Sequence, residues 1–217
     1  MNRFNTRSVG AHTPASALLA CGAAVLLLAG CSDPSEDVYK SPASAGVEPV
    51  SKAPANAKAY VIAPESTITF TGSKVTGSHG GGFKQFTGTI QVADGKVVGS
   101  SAIEIQMDST YSDSERLTGH LKSPDFFDVA QFPSASFTVT GVESSEGTHQ
   151  VTGNLDLHGV VKSISFPAEI QVGGDGVVVR AEFAINRRDF KINYPGKPND
   201  LIRDNVVIKL EILTKPA

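Results

Sequence analysis

Tryptophan is absent from the 217 residues, and cysteine and methionine occur twice each. Both cysteines, Cys21 and Cys31, lie near the N-terminus, so the rest of the chain closes no internal disulfide and draws its stability from a packed core. An excess of either charge is also lacking. With 19 Lys and Arg against 22 Asp and Glu, the formal net charge is -3 at pH 7, and no basic field of the kind that engages nucleic acid is present. There is no GxSxG, no HExxH and no phosphate-binding glycine loop. His79, His120, His149 and His158 each lack a second ligand at HxH or HxxxH spacing, which argues against a metal site. Asp125 and Asp128 could be read as paired carboxylates, but an aspartate in the first turn of a helix is the usual dipole-complementing placement. Neither cofactor nor catalytic residue is expected. No apolar run spans a bilayer comfortably, and the one from Ala15 to Gly30 falls short.

That run follows Arg3 and Arg7 and ends in Leu28-Ala29-Gly30-Cys31, the order of a signal peptide. Its end resembles the lipobox of bacterial lipoproteins, in which the thiol receives a diacylglycerol and cleavage leaves cysteine as the acylated first residue. The expectation is a signal peptide over residues 1–30, lipidation at Cys31, and membrane anchoring through several acyl chains. Ser32, where many retained lipoproteins carry aspartate, points to the outer membrane of a Gram-negative envelope, facing the periplasm. The alternative is a chance cysteine after an ordinary signal. Residues 31–58 then shift to Pro, Ser and Ala without apolar period, and read as a disordered tether with ends roughly 30 Å apart. The folded domain is expected over residues 59–217.

Within it, eight segments alternate apolar and polar residues, the signature of half-buried antiparallel strands. They carry Ile68 and Phe70; Phe86, Ile90 and Val92; Ile103, Ile105 and Met107; Phe137 and Val139; Val151, Leu155 and Leu157; Ile164, Phe166 and Ile170; Val179, Ala181, Phe183 and Ile185; and Val206, Ile208, Leu210 and Ile212. Asp94-Gly95 marks a tight turn between the second and third. Pro167, on the outward parity of the sixth, marks an edge or bulge. The pattern predicts an all-β fold, a sandwich or an eight-stranded antiparallel barrel. Gly72, Gly88, Gly99, Ser101, Gly141, Gly153 and Ala181 share the inward parity, and two readings stay open: an unfilled channel, or strand bends and close packing.

Between the third and fourth strands alternation stops. Ser112 with Glu115 reads as a capping box that starts a short helix carrying Leu117 and Leu121, and Ser123-Pro124 reads as a second helix start. Phe126, Phe127, Phe132 and Phe137 follow, four of the chain's 11 phenylalanines, and must be buried. Near the end, Arg187, Arg188, Lys191, Lys197 and Arg203 interleave with Phe190 and Tyr194, either as a cationic rim for a polar head or as a solvated loop in which Arg187 pairs with an aspartate.

Four blocks, HGGGFKQFTGT from His79, HLKSPDFFDVAQFPSASF from His120, LDLHGVVKSISFP from Leu155 and INRRDFKI from Ile185, resemble in order and spacing the YceI-like domain of bacterial periplasmic proteins, over about Ala59 to Leu213. The resemblance implies a lipocalin-like eight-stranded antiparallel barrel around an apolar tunnel, with the short helical insertion between strands three and four. It implies a bound polyisoprenoid, isoprenoid quinone or other long-chain amphiphile rather than a reaction, and allows a homodimer. The tunnel residues would be Phe70, Phe86, Ile90, Ile103, Ile105, Met107, Leu117, Phe126, Phe127, Phe132, Phe137, Leu155, Phe166, Phe183 and Ile185, with Arg187 and Arg188 at the rim. Lys191 departs from the family, which usually has glycine there. Two rivals stand beside the lipid carrier: an interaction module with a filled barrel, and an enzyme acting on an envelope lipid or quinone.

Overall fold

The computed structural model describes Met1 and residues 33–48, 53–145 and 147–217; the signal segment, Cys31 and Ser32 lie outside the described residues. Among them a short strand, β1 (Ala43–Ala45), precedes eight antiparallel staves. The first three staves are each broken in two. Stave one is β2 (Lys58–Ile62) with β3 (Thr67–Lys74), and stave two is β4 (Gly77–Phe83) with β5 (Phe86–Ala93). After a two-residue arm, β6 (Lys96–Val97), stave three is β7 (Ala102–Gln106) with β8 (Thr110–Ser112). The helix α1 (Glu115–Lys122) leads to four unbroken strands: β9 (Ser134–Ser145), β10 (Thr148–Leu157), β11 (Val160–Val172) and β12 (Val177–Asn186). A small hairpin of β13 (Gly196–Lys197) and β14 (Asp200–Leu201) precedes the last stave, β15 (Asn205–Pro216). β15 pairs with β12 on one side and with β3 and then β2 on the other, closing the eight staves into a barrel with one short helix. The inward alternation dictates this: each stave has one apolar face, and closure turns all of them to a shared interior.

The weakest joint lies between β11 and β12, which pair only over Glu169–Val172 and Val177–Arg180 before they splay. Residues 39–48 fill the gap. Tyr39 and Ser41 exchange backbone hydrogen bonds with Ala184 of β12, and β1 pairs with Lys162–Ile164 of β11. Ser41 Oγ donates to the Ser165 carbonyl and accepts from its N–H, and the Asn154 side chain clasps both backbone groups of Val47. Pro167 belongs to the same seam. Because Ser165 N–H points to the strap, the alternation of an antiparallel ladder turns the donor-less Pro167 nitrogen toward that side as well. Residues 33–48 are therefore part of the fold, which corrects the expectation of a disordered tether there.

Other differences are local. β4 went unanticipated because Gly77-Ser-His-Gly-Gly-Gly-Phe83 has almost no side chains to alternate. Asp94 and Gly95 do form a turn of two positive φ values, 52° and 73°, but it pairs β5 with β6 rather than with the third stave. Helix α1 is capped by Ser114, whose Oγ accepts from Leu117 N–H at 3.5 Å; Ser112 instead bonds to Thr118. Ser123 closes that helix and starts a run of turns, not a second helix. The mouth half of the barrel needs this insertion, because β8 has β4 as its single strand partner among the described residues. Leu117, Leu121, Phe126 and Phe127 cover the opening that remains and join the main core.

Lys191 takes the left-handed conformation, φ 59°, at the end of a short 3-10 turn, the geometry that glycine adopts without penalty. A side chain there costs about 1–2 kcal/mol, so Lys191→Gly is expected to raise stability by about 1 kcal/mol and the melting temperature by roughly 2–4 °C in thermal unfolding.

Candidate functional site

The inward faces of the staves do not meet. They enclose a cavity of about 190 Å³ whose surface is wholly apolar, with a second chamber of about 50 Å³ deeper along the axis. Ile103, Phe137, Phe166 and Leu210 line both spaces. Phe166 stacks on Phe183 at 4.0 Å between ring centres, and the Phe137 ring stands 5.5 Å from Phe166, so aromatic rings form the partition. At the opposite end Phe70, Phe83 and Phe127 meet pairwise at 5.7 to 6.3 Å.

The inward glycines divide between the two readings left open by the sequence. A side chain at Gly72 would enter open space within the cavity wall. At Gly88 it would strike the Ala102 carbonyl and Ile62, and at Gly153 it would strike the Phe137 ring, so these two serve close packing.

Above the cavity lies a vestibule of about 650 Å³. Phe70, Gly72, Leu121, Phe126 and Ile202 line both, while Lys74, His79, Arg116, His120 and Lys197 line the vestibule alone. Lys74 is paired with Asp200, His79 with Asp113 and His120 with Asp125, whereas Arg116 and Lys197 carry no ion pair among the described residues. His120 also meets Phe126 and Tyr194 edge-on at 4.9 and 5.0 Å, pinning α1 to the turn that follows it and to the 187–204 loop. A lateral groove of about 750 Å³ runs where the first three staves break, and reaches the cavity wall at Ile68 and Phe83.

Of the expected tunnel residues, Phe70, Ile103, Ile105, Met107, Phe126, Phe127, Phe137, Leu155, Phe166, Phe183 and Ile185 line the central cavity. Ile90 lines the deeper chamber, Leu117 the vestibule and Phe86 the lateral groove, where its stave breaks. Phe132 lies elsewhere: its ring packs 4.5 Å from His158, over the Gly159 turn. Of the two readings left open for the basic stretch, Arg187 takes the one in which it pairs with an aspartate. Arg187 is 3% exposed in the cavity wall at its mouth end, donating to the carbonyls of Ile192, Ile202 and Arg203, with Asp204 3.4 Å away. Burial pushes its pKa below the usual arginine value, opposed by Asp204. Arg188 is outside the cavity, paired with Asp204 at 2.6 Å. The sequence reading missed Phe83, Ile192 and Ile202 as lining residues. Phe190, Ile192 and Tyr194 alternate within the basic stretch, and that period could have found Ile192.

The YceI-like domain family matches residues 60–213. A UPF0312 protein of Pseudomonas fluorescens is 34% identical over 130 residues, covering 56% of this chain and 68% of the relative. Among solved structures, a polyisoprenoid binding domain from Saccharophagus degradans superposes with a TM-score of 0.61 at 19% identity, covering 74% of this chain and 99% of that one. BcnA of Burkholderia cenocepacia gives 0.60 at 20% identity, covering 69% and 96%. At these identities both superpositions speak to the fold.

Two outcomes are expected from this geometry. Arg187→Met leaves three carbonyls of the 187–204 loop without their donor, and should cost about 3 kcal/mol in urea unfolding. The ammonium of Lys74, with Thr76 assisting, holds the Asp200 carboxyl below its ordinary value of 3.8. A depressed carboxyl contributes stability that is complete above that value and is lost as pH falls below it. Asp200→Asn should therefore flatten part of the fall in melting temperature between about pH 5 and pH 2.

Proposed function

This chain belongs to the YceI-like family, and from that membership and its wholly apolar central cavity we propose a non-enzymatic envelope protein that binds or carries a long-chain amphiphile, an isoprenoid or isoprenoid quinone, inside the barrel. The cavity is the observation that carries the reading. An empty cavity costs about 24 cal/mol per Å³, so one of about 190 Å³ costs about 4–5 kcal/mol that a close-fitting occupant returns. Each five-carbon isoprene unit contributes on the order of 3–4 kcal/mol of apolar burial before the costs of binding.

The volume also limits the occupant. Binding sites for drug-sized ligands run from roughly 300 to 1,000 Å³, so the cavity holds only a short piece of chain as it stands. A longer chain enters by rotating Phe137 and Phe166, which joins the two chambers. The head group then lies in the vestibule, where Arg116 and Lys197 supply cationic charge. The lipobox reading supports anchoring of this carrier to the outer membrane through acylated Cys31, facing the periplasm. The smallness of the cavity favours one rival, an interaction module whose barrel stays filled by its own side chains.

Native mass spectrometry of the full chain purified from a Gram-negative host separates them. The expected result is a stoichiometric lipid adduct, with delipidation lowering the melting temperature by on the order of 10 °C. Gly72→Phe should leave the fold intact and abolish the adduct, since its ring enters the open space. A bare protein whose melting temperature does not respond to added farnesol or ubiquinone would instead favour the filled barrel.

A further inference from the structure

The strap that seals the barrel begins at its mouth. Asp33, the first described residue after Cys31, accepts the Ser35 N–H and hydroxyl on one oxygen and meets Arg203 at 3.3 Å on the other. Ser35 is fully buried, and Lys40 Nζ donates to its carbonyl. Arg203 N–H donates to the carbonyl of Ser73, and Ser73 and Ile202 both line the vestibule. Cys31 precedes Asp33 by two positions, at most about 7 Å of extended chain. An acyl anchor on Cys31 would therefore pull on the fold through Asp33, at its mouth end.

The surface around that point suits a bilayer. Val75, in the β3–β4 turn, and Leu201, at the end of β14, are 57% and 50% exposed and are joined by the Val75 N–H to Leu201 carbonyl bond. They are flanked by Lys74 and Lys197, and across the vestibule by Arg116. Lys74 is neutralised by Asp200, which leaves Arg116 and Lys197 as the cations without an ion pair among the described residues, and exposed aliphatic side chains beside such cations are what the interface of an anionic phospholipid membrane accepts. At the far end of the barrel the turns carry Asp94 and Asp175 between glycines and short polar residues.

We propose that the mouth end, centred on Val75 and Leu201, is a docking surface for the phospholipid bilayer that holds the Cys31 acyl chains, so that the vestibule opens onto lipid. The inference rests on the lipid-anchor and carrier readings above. Docking in this orientation lets an amphiphile pass between bilayer and cavity without crossing water.

The test uses full-length protein processed in a Gram-negative host, carrying either Leu201→Cys or Val172→Cys labelled with an environment-sensitive fluorophore. Val172 is an exposed residue at the far end of β11. The protein is reconstituted into vesicles of phosphatidylethanolamine and phosphatidylglycerol containing acyl-chain spin-labelled lipid. Expected is several-fold stronger quenching at position 201 than at 172, lost in a Val75→Asp background that retains the native melting temperature. Equal quenching at both positions, quenching at neither, or the stronger effect at 172 would overturn the docking surface. Intact mass of the same samples separates the causes. A chain without diacylglyceryl mass overturns the anchor reading and the proposal with it. An acylated chain with mouth-selective quenching but no bound lipid upholds docking and overturns only the carrier reading.

Discussion

A closed β-barrel must satisfy the last ladder as well as the first, and here the ladder between β11 and β12 runs out after four residue pairs. Every other feature follows from how that shortfall is met. The strap of residues 39–48 supplies the missing hydrogen-bonding groups through Tyr39, Ser41, β1 and the Asn154 clasp, and only then is the apolar interior sealed on all sides. A seam completed by a strap can be wider than one completed by strand pairing, which leaves the staves splayed around an interior their side chains do not fill.

What occupies the interior is arranged by size. Gly72 leaves space, the Phe166–Phe183 stack removes it, and Phe137 closes over Gly153 where β9 and β10 shift register. Polar chemistry is kept out of this region. Arg187, the one charged side chain among the described lining residues, spends its donors on backbone carbonyls of the 187–204 loop at the mouth and presents only carbon to the cavity. Charge reappears in the vestibule, at Lys74, Arg116 and Lys197, where the chain meets solvent.

The staves were legible because each repeats a period of two over several residues, and most of the cavity wall came with them: Phe70, Ile103, Ile105, Phe183 and Ile185 needed only their parity. Parts held by other means left no such trace. The strap is fixed by side chain to backbone bonds, Ser41 to Ser165 and Asn154 to Val47, which impose no spacing on the residues between. β4 is mostly glycine, so its backbone pairs while its sequence is silent. Ser112 and Ser114 are both able to cap, and local geometry chose the second. Arg187 could equally have been a rim residue or a buried scaffold until the loop carbonyls were placed around it.

The aligned interruptions of the first three staves have a consequence of their own. At residues 63–66, 84–85 and 107–109 the ladders stop at one level, so the far part of the barrel is a complete hoop while the mouth part is a curved panel closed by α1 and the turn after it. Interlocked ladders hold the hoop together along its whole length, but between its two ends the covering piece is held largely by side-chain contacts such as His120 to Tyr194 and Phe127 to Phe70. Local opening costs least where few ladders must break. Any sub-global opening of the barrel is therefore expected to begin at residues 113–133, over a hoop that keeps its shape.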